Sequence, residues 1–152
     1  MKAITLWQPW ASLVATGAKK IETRGWPTKY RGPLAIHAAQ KWNEELESLL
    51  SYWEFQGGLA PLVGKPLDLT GNTWAGVQAK HLPKSVIVCT CNLIDCIPTD
   101  NLTLKEIRHE QYFGDFTPGR FGWILDNIKP LEKPIPAKGS QGFWDWEGDI
   151  NA

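Results

Sequence analysis

The sequence predicts a small α+β protein in which short strands form the core and two or three helices lie on its outside. Runs rich in β-branched and bulky apolar residues recur along the chain, and two amphipathic helical patterns separate them. The length of 152 residues and the 43% hydrophobic composition suit one sizeable core, so we expect a single domain over residues 1–152.

The first elements are a strand, a short helix and a second strand. Residues 3–7 are apolar and suit a strand, and Pro9 suits the first position of a helix that stops before Gly17. In the charged run that follows, 20–24, strand alternation turns Ile21 toward the core and Lys20, Glu22 and Arg24 toward the other face. Lys19 lies in the turn between helix and strand, so its direction stays open.

The middle of the chain predicts one strand, one helix and a long loop. Residues 33–38 form a buried strand, in which His37 is expected to be a hydrogen-bonded core residue. Asn43 caps a helix that the glycine pair at 57–58 ends. Residues 57–73 have no clean period and are predicted to be a loop insertion. For Trp74 to Lys80 the pattern does not distinguish a short strand from a helix.

The last third predicts a central strand at 85–96 and another at 121–126. Between them, the pattern from Thr103 to Glu106 is a capping box, which predicts a short helix reaching about Gln111. The stretch Lys138 to Gly142 is a flexible loop whose backbone amides could meet a phosphate.

The sequence argues against a disulfide-stabilised protein, a zinc protein and a membrane-spanning protein. The 16 basic and 16 acidic side chains cancel, but five basic residues lie between 19 and 31 against only Glu22. This local excess indicates either an anionic ligand or ordinary solvated side chains around a turn. Cys89 and Cys91 are expected to be core residues of a strand, and with Cys96 they make a poor disulfide or zinc framework. No apolar run is long enough for a membrane span. We expect a cytoplasmic protein with no cofactor and no metal.

Three stretches in order resemble one known family. The first contains Gln8-Pro9-Trp10-Ala11 and the spaced motif Gly17-x-Lys19-x-x-Glu22-x-Arg24. The second runs from Tyr30 to Ala38, and the third joins Gly122-Trp123-Ile124-Leu125 to the segment from Pro134 to Trp144. Together they resemble the ASCH domain, a relative of the PUA fold. The resemblance implies a PUA-like mixed β-barrel in which the opening motif faces the late glycine-rich loop across a cleft.

The resemblance also implies which side chains serve the cleft. Lys19 and Glu22 are the candidate catalytic pair. The candidate ligand-binding residues are Trp10, Arg24, Arg31, His37, Lys138, Ser140, Gln141 and Trp144. Phe143 and Trp144 could stack on a base, although most of the nine tryptophans must be core.

Two functions and one purely structural role are compatible with this motif. A binding domain would hold RNA, a nucleotide or a modified nucleoside through charge and stacking. An enzyme would use Lys19 and Glu22, as in the ASCH amidohydrolases that act on N4-acetylcytidine, or in members described as ribonucleases. Those amidohydrolases have threonine where this chain has Glu22, which weakens the hydrolytic alternative. Finally, Lys19, Glu22 and Arg24 could form an ion-pair cluster that only fixes the turn.

Overall fold

The computed structural model describes residues 1–151 as six strands with three short α-helices and several 3₁₀ turns. The strands are β1 (Lys2–Leu6), β2 (Ile21–Arg24), β3 (Gly32–Ala38), β4 (Val86–Pro98), β5 (Phe121–Pro136) and β6 (Trp144–Asp145). The helices are α1 (Trp10–Ala15), α2 (Glu44–Ser48) and α3 (Trp53–Leu59). The 3₁₀ turns are Leu49–Ser51, Ala60–Val63, Ala79–His81, Thr99–Asn101 and Glu110–Tyr112.

All six strands belong to one mixed sheet with the order β2-β5-β4-β3-β1-β6. Only β1 and β3 run parallel, and the other neighbours pair antiparallel. The α+β prediction is confirmed, and so is the central position of the 85–96 strand, now β4. β2 and β6 end the strand order, and no ladder joins them within residues 1–151. Closure into a barrel therefore stays a prediction.

One apolar cluster packs α1 against the sheet, and a second packs α1 against α3. The first packs Val14 of α1 against Leu34, Ile36 and Trp123 on the sheet. The second joins α1 to α3 and includes Phe113, which is buried. Gly17 ends α1 as predicted, with a φ of 87° that favours glycine.

The single helix predicted from Asn43 to the glycine pair is wrong, because the structure has two helices there, α2 and α3. Asn43 caps α2 by accepting the Leu46 amide at 2.8 Å, but the chain is extended at Tyr52 and a new helix, α3, starts there. α3 then runs through both glycines. A Cβ at Gly58 would come within 2.7 Å of the Leu13 side chain, and one at Gly57 would meet the Asp68 carbonyl oxygen. Close packing therefore outweighs the low helix propensity of glycine. The predicted loop at 57–73 is therefore wrong over residues 57–63, which are helical, while an insertion relative to the family stays a prediction.

Two other local predictions also differ from the structure. The capping box between Thr103 and Glu106 forms through both backbone amides, at 3.1 and 3.2 Å, but turns and a 3₁₀ segment follow it in place of a helix. Residues 74–80 form neither a strand nor a helix, apart from the 3₁₀ turn that starts at Ala79. There the Gln56 side chain bonds both the amide and the carbonyl of Val77, at 2.8 and 3.0 Å. These bonds satisfy the Val77 backbone without a neighbouring strand.

Candidate functional site

Lys19 points inward from the junction between α1 and β2. Its side chain is 1% exposed, and Nζ donates to the carbonyl oxygens of Ile21 and Phe113 at 2.8 and 2.7 Å. The same nitrogen lies 3.5 Å from Oε1 of Glu22. Three acceptors therefore surround the three N–H groups of one buried ammonium.

Glu22 and Arg24 extend this cluster toward the surface. Oε2 of Glu22 accepts from Nε of Arg24 at 3.0 Å, and Oε1 accepts the Thr23 amide at 3.2 Å. Nη2 of Arg24 donates to the Thr5 carbonyl at 3.3 Å. The predicted ion-pair cluster is therefore present. A continuous basic surface over residues 19–31 is absent, because Lys19 is buried and Arg24 is only 15% exposed.

The guanidinium of Arg24 is held rigidly and still has donors to spare. Its central carbon lies 5.5 and 5.7 Å from the ring centroids of Trp26 and Trp123, within cation–π range. Nη1 makes no hydrogen bond to residues 1–151, yet none of the buried side-chain nitrogens there lacks a partner. Nη1 is therefore not fully buried, and its hydrogen-bond donors are available to a ligand.

Glu110 is a supporting residue that the sequence did not reveal. Its carboxylate is buried and accepts the backbone amides of Lys20 and Ile21 at 3.0 to 3.1 Å. Burial raises the pKa of Glu110, although these amides and the nearby Lys19 act in the opposite direction. The contacts fix the backbone that carries the motif. No local pattern could have found Glu110, since its partners lie 89 and 90 residues away.

A large cavity, which we call the aromatic chamber, opens beside Glu22 and Arg24. Its volume is about 1220 Å³. Trp7, Trp26, Tyr52 and Tyr112 are 46 to 55% exposed at this cavity. Its other lining residues are Thr5, Leu6, Trp10, Glu22, Thr23, Arg24, Gly25, Leu49, Glu54, Phe55, Phe113, Gly114 and Arg120. Such a concentration of exposed rings is typical of a binding surface.

A second cavity of about 560 Å³, the loop chamber, is also lined by Arg24. It is lined by the loop of residues 138–142 together with His37, Ala39, Gln40 and Ser85. Both chambers share four residues as a common wall: Thr5, Trp7, Arg24 and Trp26. The two cavities are therefore adjacent, and Arg24 is the one charged residue in their common wall.

His37, which lines the loop chamber, is hydrogen-bonded through both ring nitrogens. Nε2 lies 2.7 Å from the Ala137 carbonyl, which can only accept, so Nε2 carries the proton in this contact. Nδ1 then accepts from the Thr5 hydroxyl at 3.2 Å, and that oxygen accepts from Nε1 of Trp144 at 3.1 Å. Burial lowers the pKa of His37, which favours this neutral form. The predicted hydrogen-bonded core role of His37 is confirmed.

The predicted site residues fall into three groups. Trp10, Glu22 and Arg24 line the aromatic chamber, and Arg24, His37, Lys138, Ser140 and Gln141 line the loop chamber. Lys19, Arg31 and Trp144 line neither. Arg31 instead bonds the carbonyls of Thr28 and Tyr30 and lies 3.6 Å from Asp95. The motif and the loop thus meet only at Arg24, and the individual roles stay predictions.

The four half-exposed rings of the aromatic chamber were not predicted from the sequence, which selected only the less exposed Trp10 among the rings of this chamber. Composition shows nine tryptophans but not which of them reach the surface. Phe143, considered for base stacking, instead stacks on the buried Trp123 ring at 5.2 Å. Phe143 therefore packs against the core.

The described residues contain neither a candidate metal site nor a helix that could span a membrane. Cys89 and Cys91 are buried in β4, as expected for core residues, and burial raises the pKa of the Cys91 thiol to about 12. In residues 1–151, no group of three histidine, cysteine or carboxylate side chains could hold a metal ion. Over the same range, each helix is too short or too polar to cross a bilayer.

Comparison with known proteins identifies the domain. The family model of the ASCH domain matches residues 4–135. Activating signal cointegrator 1 from mouse and from human is 26% identical over 151 residues, which is 97% of this chain. The chain spans only 22% of the length of these two relatives. The crystal structure of an ASCH protein from Zymomonas mobilis matches 99% of this chain and 90% of that chain, with 13% identity and a TM-score of 0.55. This last match shows a shared fold.

Proposed function

This chain belongs to the ASCH domain family, a class within the PUA-like superfamily, and we propose that it binds RNA or nucleotides in the two chambers beside Arg24. The cleft is built on the Gly17-x-Lys19-x-x-Glu22-x-Arg24 motif. The observation that carries the proposal is the Arg24 guanidinium, whose free donors stand at the wall shared by an aromatic and a polar cavity.

The aromatic chamber suits an unstacked base better than a folded protein surface. Every base presents a flat π face, and rings such as Trp26 and Tyr112 can stack on it whatever its identity. An arginine beside these rings adds hydrogen bonds to a base edge or to a phosphate. The arrangement therefore favours single-stranded RNA or a free nucleotide over duplex RNA.

The contacts of Lys19 favour binding over hydrolysis. A lysine that acts as nucleophile or base must present a lone pair, and here Nζ faces two carbonyl oxygens and a carboxylate. Lys19 would thus orient Glu22 and the β2 backbone. The hydrolytic alternative, an amidohydrolase or a ribonuclease, rests on Glu22, which lines the aromatic chamber and could act as a general base for a water molecule.

Binding of a short labelled RNA at two salt concentrations tests the proposal. With two phosphate contacts, the log–log slope of affinity against salt should be roughly −1.4. Tyr112→Ala should weaken binding by about 1–3 kcal/mol through lost stacking. Trp74→Ala is the matched control, since this ring is 47% exposed and lines neither chamber. Absence of binding at low salt would remove the nucleic-acid proposal.

A further inference from the structure

The two chambers differ in charge. The aromatic chamber has the carboxylates of Glu22 and Glu54 against the guanidinium groups of Arg24 and Arg120. The loop chamber has Arg24 and Lys138 and no carboxylate among its lining residues. An anionic group is therefore attracted to the loop chamber, while an uncharged ring meets no such bias in the aromatic chamber.

The loop also offers a row of backbone donors. The amides of residues 138–142 make no hydrogen bond to any acceptor within residues 1–151. The loop is nevertheless held in place, because Gly139 lies against His37 and Thr5. A Cβ at Gly139 would come within 2.5 Å of the His37 ring and 2.7 Å of the Thr5 hydroxyl. Consecutive free amides on a fixed loop, beside two cations, are suited to phosphate oxygens.

We propose that the ligand is a nucleotide whose base lies in the aromatic chamber and whose phosphate lies in the loop chamber, with Arg24 between them. This assignment rests on the proposed function and adds to it the orientation of the nucleotide in the two chambers. The carboxylates and guanidinium groups of the aromatic chamber balance, so a phosphate gains no net attraction there, whereas the cations and amides attract it to the loop side. The phosphate can be a terminal monoester or the diester of a longer RNA, because both present the oxygens that these donors need.

Isothermal titration of the intact protein with adenosine, adenosine 5′-monophosphate and the dinucleotide ApA tests the assignment. The wild type should bind the monophosphate roughly tenfold or more tightly than adenosine, as expected for one charge-assisted contact. Equal gains for the monophosphate and ApA would show that either phosphate serves, and a gain for one alone would identify its source. Lys138→Glu should bring the affinity for the monophosphate down to about that for adenosine. Lys138 is exposed, so this variant should fold.

Lys133→Glu is the matched control, because Lys133 is also exposed and lines neither chamber. It makes the same change in net charge and should preserve the preference for the monophosphate. If a short RNA binds but adenosine and its monophosphate bind equally, the two-chamber assignment is wrong while the proposed function stands. If neither RNA nor any nucleotide binds at low salt, both fail.

Discussion

Replacing Lys19 by methionine should destabilise the fold by about 3–5 kcal/mol, because it leaves buried acceptors without a donor. Methionine keeps the length and most of the packing of the side chain but removes the ammonium. The carbonyl oxygens of Ile21 and Phe113 then lose a donor, at about 1–3 kcal/mol each. Glu22 loses one of its two cations, and Arg24 still pairs with it at 3.0 Å. The melting temperature should fall by roughly 6–20 °C for a domain of this size.

Denaturant unfolding of five proteins measures this effect: the wild type, Lys19→Met, Lys20→Met, Glu22→Gln and the double variant Lys19→Met/Glu22→Gln. Lys20→Met is the control, since Lys20 is exposed one position away and should change the free energy of unfolding by less than about 0.5 kcal/mol. Lys19→Met combined with Glu22→Gln should recover about 1–3 kcal/mol relative to the sum of the single effects, because the two side chains interact. A Lys19→Met protein within about 1 kcal/mol of the wild type would refute the structural role assigned to this ammonium.

Two further predictions concern pH and catalysis. Because burial lowers the pKa of His37, the unfolded chain binds a proton that the folded chain does not as the pH falls below about 6.5. The free energy of unfolding should therefore fall between pH 7.5 and 5.5, and less steeply in His37→Gln; equal slopes would contradict the assignment. Release of cytidine from N4-acetylcytidine, followed by chromatography, should be slow or absent in the wild type, and Glu22→Thr should raise it if the pocket is otherwise that of the amidohydrolases. Robust wild-type turnover that Glu22→Ala leaves intact would show that Glu22 has been assigned the wrong role.

Local sequence pattern was sufficient for most of the regular elements. A long apolar run with β-branched residues predicted β4, and Gly17 predicted the end of α1. These signals depend on neighbours two to four residues apart, so they can be read along the chain. The helix prediction failed at the glycine pair 57–58, where contact with Leu13 and Asp68 outweighed intrinsic propensity.

The sequence by itself determined the family and the position of the motif, because the spacing of Lys19, Glu22 and Arg24 is a local property of the chain. Only the tertiary structure decided which of these side chains reaches a ligand. Lys19 can be buried because the Phe113 carbonyl, 94 residues away, accepts a hydrogen bond from its ammonium. Arg24 faces both chambers because Thr5 and two indole rings hold its guanidinium. Exposure depends on such distant partners, and no pattern of neighbouring residues encodes them.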